Sequence, residues 1–278
     1  MATKAAVPEA PVRPEPRVFP GVPAPALRPF IEGRYGGYVE SAREAFAQRQ
    51  TPFGGVPVVF NLGPDIEVAP AHASELESFG AFVAGMHTSY ATTVSNPKSS
   101  GIQVNFTPVG AHLLFGGRPM HELTDRIVPL PEVFGRESCE LVERLQAAPD
   151  WDERFALLDA FLLRRLGRAP DPPEHTAFAW ARLRRTNGQM RIGDLAEELG
   201  CSRKQLLAQF RDHVGLAPKM AARVMRFSHA TELARSSAEP NWSDIAFECG
   251  YYDQAHLIRE FREFAGCSPT EYLRLYAR

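Results

Sequence analysis

The hydrophobic pattern divides the chain into two parts. Between about residues 27 and 133, short runs broken by Gly and Pro alternate apolar and polar side chains, as in Ile102, Val104 and Phe106. A period of two is typical of strands with one buried face. From about residue 136 onward, apolar side chains recur at the three- to four-residue spacing of amphipathic helices. The pattern therefore predicts an α+β chain, with a β-rich part before a helical part.

Several segments of the first part have the length and composition of short strands. They are residues 34–40, 56–61, 79–86, 88–93, 101–106 and 112–114. This many short strands predicts a small antiparallel barrel or sandwich. Two helices are predicted next, from Ser138 to about Ala147 and from about Asp152 to Leu166. This helical pair either dimerises or docks a partner, or simply covers the β-rich part.

Proline marks the boundaries between these parts. Seven prolines fall within residues 1–25, which predicts a disordered tail, and residues 169–173 predict a stiff linker. The predicted organisation is a tail at 1–25, a β-rich domain at 26–135, a helical pair at 136–168, a linker at 169–173 and an all-α domain at 174–278.

The all-α domain contains one helix-turn-helix pattern written twice. The matched pairs are Asp194 with Asp244, Leu195 with Ile245, Ala196 with Ala246 and Gly200 with Gly250, and then Ser202 with Asp253, Leu206 with Leu257, Phe210 with Phe261, Gly215 with Gly266 and Pro218 with Pro269. The offset is 50 for the first four pairs and 51 for the others. The second turn is therefore one residue longer. Duplication of such a unit predicts two helices that enter DNA grooves.

Each repeated position has a physical reason. Ser202 and Asp253 are good N-caps, and Leu206 with Phe210 forms an apolar i, i+4 pair that faces a core. Between the copies, residues 219–235 predict a helix of roughly 25 Å. That length suits two recognition helices placed in successive major grooves, which are about 34 Å apart.

Because of these repeated positions, the segment 174–278 resembles the AraC/XylS family of bacterial transcription regulators. The resemblance is carried by Ile192 to Phe210, by Arg226, Ala230 and Leu233, and by Asp244 to Pro269 with Tyr272. It implies a seven-helix domain with two helix-turn-helix units. It also implies that the β-rich domain is a cupin-like sensor, a match that far fewer residues support.

The predicted DNA contacts lie on the outward faces of the two recognition helices. They are Arg203, Lys204, Leu207, Ala208 and Arg211 in the first, and Gln254, Ala255, Ile258, Arg259 and Arg262 in the second. Gln254 is suited to adenine, and Arg259 or Lys204 to guanine. The four apolar members offer contact with a thymine methyl. The remaining arginines, with Arg223, are predicted phosphate contacts, although a solvated helix face has the same pattern.

Composition and motifs limit the other functions that the chain is expected to have. The net charge is −2, and residues 174–278 carry only a slight excess of basic groups, so affinity is expected to depend on local placement and on homodimerisation. No apolar run is long enough to span a membrane, and the N-terminus lacks a signal-peptide layout, which predicts a cytoplasmic protein. No catalytic motif is recognised, so we expect no enzymatic activity and no cofactor.

An alternative keeps chemistry in the β-rich domain. Such a domain binds metal in some proteins, and the histidines to consider are His72, His87, His112 and His121, but their spacing favours ordinary surface or core positions. The alternative is thus a metal-binding or enzymatic cupin with an appended DNA-binding domain. For the regulator, the expected partners are double-stranded operator DNA, a small-molecule effector and RNA polymerase. Effector-binding residues cannot be assigned: Phe60, Phe82, Met86, Tyr90, Phe106 and Phe115 either line a pocket or form the core.

Overall fold

A computed structural model describes residues 16–71, 73 and 75–276 of the chain. Within these residues the strands are β1 (Arg17–Gly21), β2 (Tyr35–Ser41), β3 (Phe46–Gln50), β4 (Val56–Asn61), β5 (Ile66–Pro70), β6 (Glu77–Phe79), β7 (Phe82–Ala84), β8 (Ala91–Ser95), β9 (Lys98–Phe106) and β10 (Ile127–Pro129). The helices of the N-terminal part are α1 (Pro108–Leu114), α2 (Leu130–Phe134), α3 (Glu137–Ala147) and α4 (Trp151–Leu166). Those of the C-terminal part are α5 (Glu174–Arg185), α6 (Ile192–Glu198), α7 (Arg203–His213), α8 (Pro218–Ser236), α9 (Trp242–Glu248), α10 (Gln254–Ala265) and α11 (Pro269–Tyr276).

The described strands form two antiparallel sheets. The larger has the order β1-β2-β9-β4-β7-β10, and the smaller has the order β3-β8-β5-β6. A small core joins them, because Val59 and Phe82 of the larger sheet pack with Ile66 and Val68 of the smaller. The predicted α+β class is confirmed. The pairing forms two sheets rather than one closed ring, and the cupin-like assignment stays a prediction.

The alternating pattern located the central strands but not the edges. Predicted strands at 34–40, 56–61 and 101–106 correspond to β2, β4 and β9. The predicted strand at His112–Leu114 is wrong, because these residues end helix α1. The hydroxyl of Thr107 caps α1 by accepting a hydrogen bond from the Gly110 amide at 3.0 Å, and Pro108 occupies the first turn.

Part of the predicted tail is also ordered. Residues 17–21 form β1 and pair with β2, with Phe19 opposite Gly37. The Phe19 ring stacks on Trp151 of α4 at 4.5 Å between centroids, which gives this Pro-rich edge strand an apolar contact. Pro20 is tolerated there because β1 ends the sheet. The rest of the predicted tail, residues 1–15, lies outside the described residues.

The predicted helical pair at 136–168 corresponds to α3 and α4. Leu158, Phe161 and Leu162 of α4 are fully buried, and the Tyr35 hydroxyl of β2 donates a 2.6 Å hydrogen bond to Asp159. These contacts favour the interpretation that the pair covers the β-rich part.

Seven helices follow the linker within the described residues, as the resemblance implied. The helix predicted at residues 219–235 is α8, which has 19 residues and is about 28 Å long. Buried apolar side chains form one continuous cluster from Leu27 in the N-terminal part to Tyr272 in α11. The two parts of the chain therefore pack against each other.

Candidate nucleic-acid interface

The first helix-turn-helix unit consists of α6 and α7. Leu195 of α6 and Leu206 and Phe210 of α7 are fully buried and hold the two helices together. Gly200 takes the left-handed conformation at the turn, with φ of 61°. The Ser202 hydroxyl then accepts a hydrogen bond from the Gln205 amide at 3.2 Å, which starts α7 as predicted.

The second unit, α9 and α10, repeats this construction with stronger caps. The Asn241 side chain accepts hydrogen bonds from the amides of Ser243 and Asp244 at the start of α9. The Asp253 carboxylate accepts one from the His256 amide at 2.7 Å at the start of α10. An ionised acceptor at a helix N-terminus is favoured by the helix dipole.

Helix α8 is fixed to the second unit by an aromatic and an ionic contact. The Phe227 ring lies 5.0 Å from the Phe261 ring, centroid to centroid. The Arg223 guanidinium pairs with the carboxylates of Glu260 and Glu263 on α10, at 2.7 and 2.5 Å. Arg223 is therefore engaged within the domain, and its predicted role as a phosphate contact is replaced by one that fixes α10 to α8.

The ten predicted contact residues lie on the outward sides of α7 and α10. Nine are exposed, and Ile258 is half-buried. Arg203, Lys204 and Gln254 lie in the first turns of their helices. Those turns are the parts of recognition helices that approach base edges. The structure thus presents each predicted set on one accessible face, and the role of each residue in DNA binding stays a prediction.

Gln254 has a partner that the sequence analysis missed. The Ser243 hydroxyl of α9 donates a hydrogen bond to Gln254 Oε1 at 3.2 Å. This contact holds the Gln254 side chain across the N-terminal end of α10 and leaves its amide nitrogen for another acceptor. The i, i+11 spacing of Ser243 and Gln254 gave no local signal for this pair.

Two exposed aromatic side chains beside the second unit were also missed. Tyr252 is 93% exposed and immediately precedes the N-cap of α10, and Phe247 of α9 is 86% exposed. Tyr252 occupies the lengthened turn, so the change of offset from 50 to 51 was the signal that pointed to this position.

The candidate effector residues of the β-rich part are core. Phe60, Phe106 and Met86 are fully buried, and Phe106 packs edge-on against Phe115. Tyr90 differs, because it lines a cavity of about 430 Å³ between the two parts of the chain. Arg262, Glu263 and Gly266 line its other side.

The alternative of a metal site gains no support from the arrangement of side chains. In the part of the chain that the structure describes, no group of three or more His, Cys, Asp or Glu side chains is placed to hold a metal ion. His72 lies outside the described residues.

No described helix is long and apolar enough to cross a membrane.

The arrangement of α6–α7 and α9–α10 defines the class: a protein with two helix-turn-helix units in one domain. A family model described as a helix-turn-helix domain matches residues 195–275, and a model described as a domain of unknown function (DUF6597) matches residues 21–129. The C-terminal domain belongs to the AraC-type helix-turn-helix family, which confirms the resemblance seen in the sequence.

Curated relatives share part of the chain. HTH-type transcriptional activator RhaS of Escherichia fergusonii is 34% identical over 77 residues, 28% of this chain and 27% of RhaS. HTH-type transcriptional regulator Rv1931c of Mycobacterium tuberculosis is 30% identical over 146 residues, 51% of this chain and 52% of the relative. The chain therefore spans about a quarter to a half of the length of these relatives.

Solved structures of ToxT from Vibrio cholerae align over most of the chain. The ToxT structure from strain O395 has a TM-score of 0.49 and 12% identity, and the alignment covers 88% of this chain and 98% of ToxT. Another ToxT structure, from strain SCE256, is bound to an unsaturated fatty acid.

Proposed function

We propose that this chain is a sequence-specific, double-stranded DNA-binding transcriptional regulator in which α7 and α10 enter the major groove. The observation that carries the proposal is the pair of recognition helices, each with an exposed face, in two helix-turn-helix units that flank α8. The relatives named as HTH-type transcriptional regulators support it.

Base recognition is assigned to the polar residues at the exposed faces. Gln254 is suited to hydrogen-bond adenine, while Arg259 and Lys204 are suited to the two acceptors of guanine. Leu207, Ala208, Ala255 and Ile258 offer apolar contact with thymine methyl groups.

The flanking arginines Arg203, Arg211 and Arg262 are assigned to phosphates, where they position the protein without specifying sequence. All three are exposed, which leaves their guanidinium groups accessible to the DNA backbone.

The remaining parts of the proposal concern partners and context. The regulator acts as a homodimer in the cytoplasm, where it reaches its operator and RNA polymerase, and it has no enzymatic activity or cofactor. A small-molecule effector acts through the N-terminal domain. The packing of that domain against the DNA-binding domain supports this route, because a conformational change in one domain shifts side chains that the other domain packs against.

The first test is selection of DNA from a random library by the full-length protein at a stated salt concentration. Two short boxes about one helical turn apart are expected, one for each recognition helix. A single box would mean that one unit alone recognises sequence. The first unit is the one expected to fail, because Leu207 and Ala208 at its predicted base-contacting positions are apolar. No enrichment, with or without cell extract as an effector source, would contradict the proposal.

A second test assigns the residues. The double variant Gln254→Ala with Arg259→Ala should lose preference for the second box and keep its fold, as measured by circular dichroism and a binding titration. Arg274→Ala is the matched control, because it removes one positive charge from an exposed position on α11. Equal effects of both variants would assign the loss to net charge rather than to base contacts.

A further inference from the structure

The C-terminal ends of both recognition helices contact the N-terminal domain. We propose that this domain positions α7 and α10 relative to each other through two contacts, which we name the clamp: Arg49 with Tyr90 at α10, and Thr124 at α7. The inference rests on the proposed function, since it assigns residues that set the geometry of DNA recognition without touching DNA.

At α10 the clamp supplies a helix cap. The last carbonyl groups of a helix have no partner within it and carry the negative end of the helix dipole. Arg49, on β3, places Nη1 at 3.3 Å from the carbonyl oxygen of Ala265 and at 3.4 Å from that of Gly266. A guanidinium of the N-terminal domain therefore donates to the last carbonyl groups of the recognition helix α10 in the other domain.

Tyr90 fixes the geometry of this cap. The Arg49 guanidinium lies 4.7 Å from the centroid of the Tyr90 ring, a cation–π contact. The same ring lies so close to Gly266 that a β-carbon there would overlap it. The end of α10 is thus seated against a ring and a charged group that hold each other in place.

At α7 the clamp acts through the backbone. The Thr124 hydroxyl donates a 2.8 Å hydrogen bond to the carbonyl oxygen of Gly215, just after α7 ends. A β-carbon on Gly215 would lie 2.9 Å from that hydroxyl oxygen and 3.0 Å from the Met120 carbonyl oxygen. At the last residue of α7, the ring of His213 packs against His112 of α1 at 4.7 Å between centroids.

The two contacts give the recognition helices a second connection. The first connection between them is α8, a single helix that begins and ends at loops next to α7 and α9. The second runs through the N-terminal domain from Thr124 to Arg49. Because both contacts lie at the helix ends opposite the predicted base-contacting turns, a small rotation at the clamp changes how far apart those turns lie.

The experiment measures spacing preference. Full-length wild type, Arg49→Ala, Thr124→Val and the double variant are titrated with the selected two-box DNA and with versions whose boxes are moved by one to three base pairs. Single-box DNA is included for each protein. Arg43→Ala is the matched control, because Arg43 is exposed in the turn before β3 and loses the same charge.

The clamp predicts that the wild type binds one box spacing more tightly than the others. In the double variant, the ratio of affinities for the preferred and the shifted spacings should fall about fivefold. Single-box affinity should change much less. Arg49→Lys should recover part of the preference, because an ammonium keeps the charge and can donate to the carbonyl groups but lacks the planar guanidinium that lies against Tyr90. An unchanged spacing profile in the double variant would overturn the inference.

Hydrogen exchange separates this result from failure of the proposed function. Loss of Arg49 should speed exchange in the last turn of α10, and loss of Thr124 should do so at the end of α7, with or without DNA. If the wild type selects no DNA, the proposed function fails, and unchanged exchange in both variants would then overturn the clamp as well. Faster exchange would keep the clamp as a contact that holds the helix ends.

Discussion

The two helix-turn-helix units share a scaffold and differ in the surface they present. Both have a capped recognition helix and a buried i, i+4 pair, Leu206 with Phe210 and Leu257 with Phe261. At the predicted base-contacting positions, however, α7 has one polar side chain, Lys204, whereas α10 has two, Gln254 and Arg259, and Ser243 orients Gln254. The duplication therefore preserved the packing while the recognition chemistry diverged.

The turns of the two units also differ in the side chains that they expose. Tyr251 is buried in the second unit, and the inserted Tyr252 beside it is 93% exposed at the start of α10. In the first unit Cys201, half-buried, leads directly to the N-cap Ser202. The second unit thus has an exposed aromatic side chain at the start of its recognition helix, and the first unit has none at the matching position.

The largest expected effect tests the shared scaffold. Phe261→Ala and Phe210→Ala should each destabilise the protein by about 3–5 kcal/mol, because each removes a fully buried ring. Phe261 should cost more, since its ring also packs edge-on against Trp242 and Tyr272. Denaturant unfolding measures both.

Phe247→Ala is the control for these core variants. Its side chain is 86% exposed, so its truncation should change stability by less than about 0.5 kcal/mol. Equal costs for Phe210 and Phe261 would mean that the aromatic contacts of the second unit add nothing to its packing.

The next effect tests the divergence in recognition. Arg259→Ala should reduce discrimination at one base pair of the second box by about 1–3 kcal/mol, whereas Leu207→Ala should reduce discrimination at the first box far less. Binding to DNA with single substitutions in each box measures both. A larger loss from Leu207→Ala would reverse the assignment and make the first unit the main source of specificity.

The comparison of units was accessible from the sequence because it depends on local rules. Caps, i, i+4 pairs and terminal glycines act over a few residues, so the positions of Ser202 and Asp253 were enough to locate the start of both recognition helices. The pattern also found β2, β4 and β9, which lie inside the larger sheet.

What the sequence could not predict depends on contacts between distant residues. Strand β1 forms in a Pro-rich segment because Phe19 packs on Trp151, which is far away along the chain. Arg223 has the pattern of a phosphate contact, but two carboxylates of α10 hold it. Arg49 and Thr124 gave no signal at all, since a single Arg or Thr on a β-rich domain has no local pattern that indicates a partner helix.

A smaller effect separates strain from crowding at two glycines of similar backbone conformation. Gly200 and Gly266 have similar φ values, 61° and 67°, but only Gly266 lies against Tyr90. Gly200→Ala should cost about 1–2 kcal/mol from left-handed strain alone. Gly266→Ala should cost more, because the new methyl group also displaces the Tyr90 ring. Thermal unfolding of both variants measures the difference, and equal costs would mean that Tyr90 moves aside freely.

The smallest effect concerns pH and involves a histidine of the first unit. Burial, and next the neighbouring His112, lowers the pKa of the His213 imidazole below its usual value. His213 also contacts the Thr176 hydroxyl at 2.8 Å and the Asp212 carboxylate at 3.5 Å. In the second unit, His256 instead lies 3.9 Å from the Glu260 carboxylate.

The direction of the pH effect follows from that shift. Because the folded-state pKa of His213 lies below the unfolded value of about 6.5, the unfolded chain takes up the proton first as pH falls. Stability is therefore unaffected by His213 well above that pH and decreases as pH falls through it, until the folded state is also protonated. Denaturant unfolding between pH 8 and pH 5 should show a smaller decrease in His213→Gln, which keeps a hydrogen-bonding group beside Thr176. The same pH slope in wild type and variant would show that protonation of His213 does not weaken the contact between α7 and the N-terminal domain.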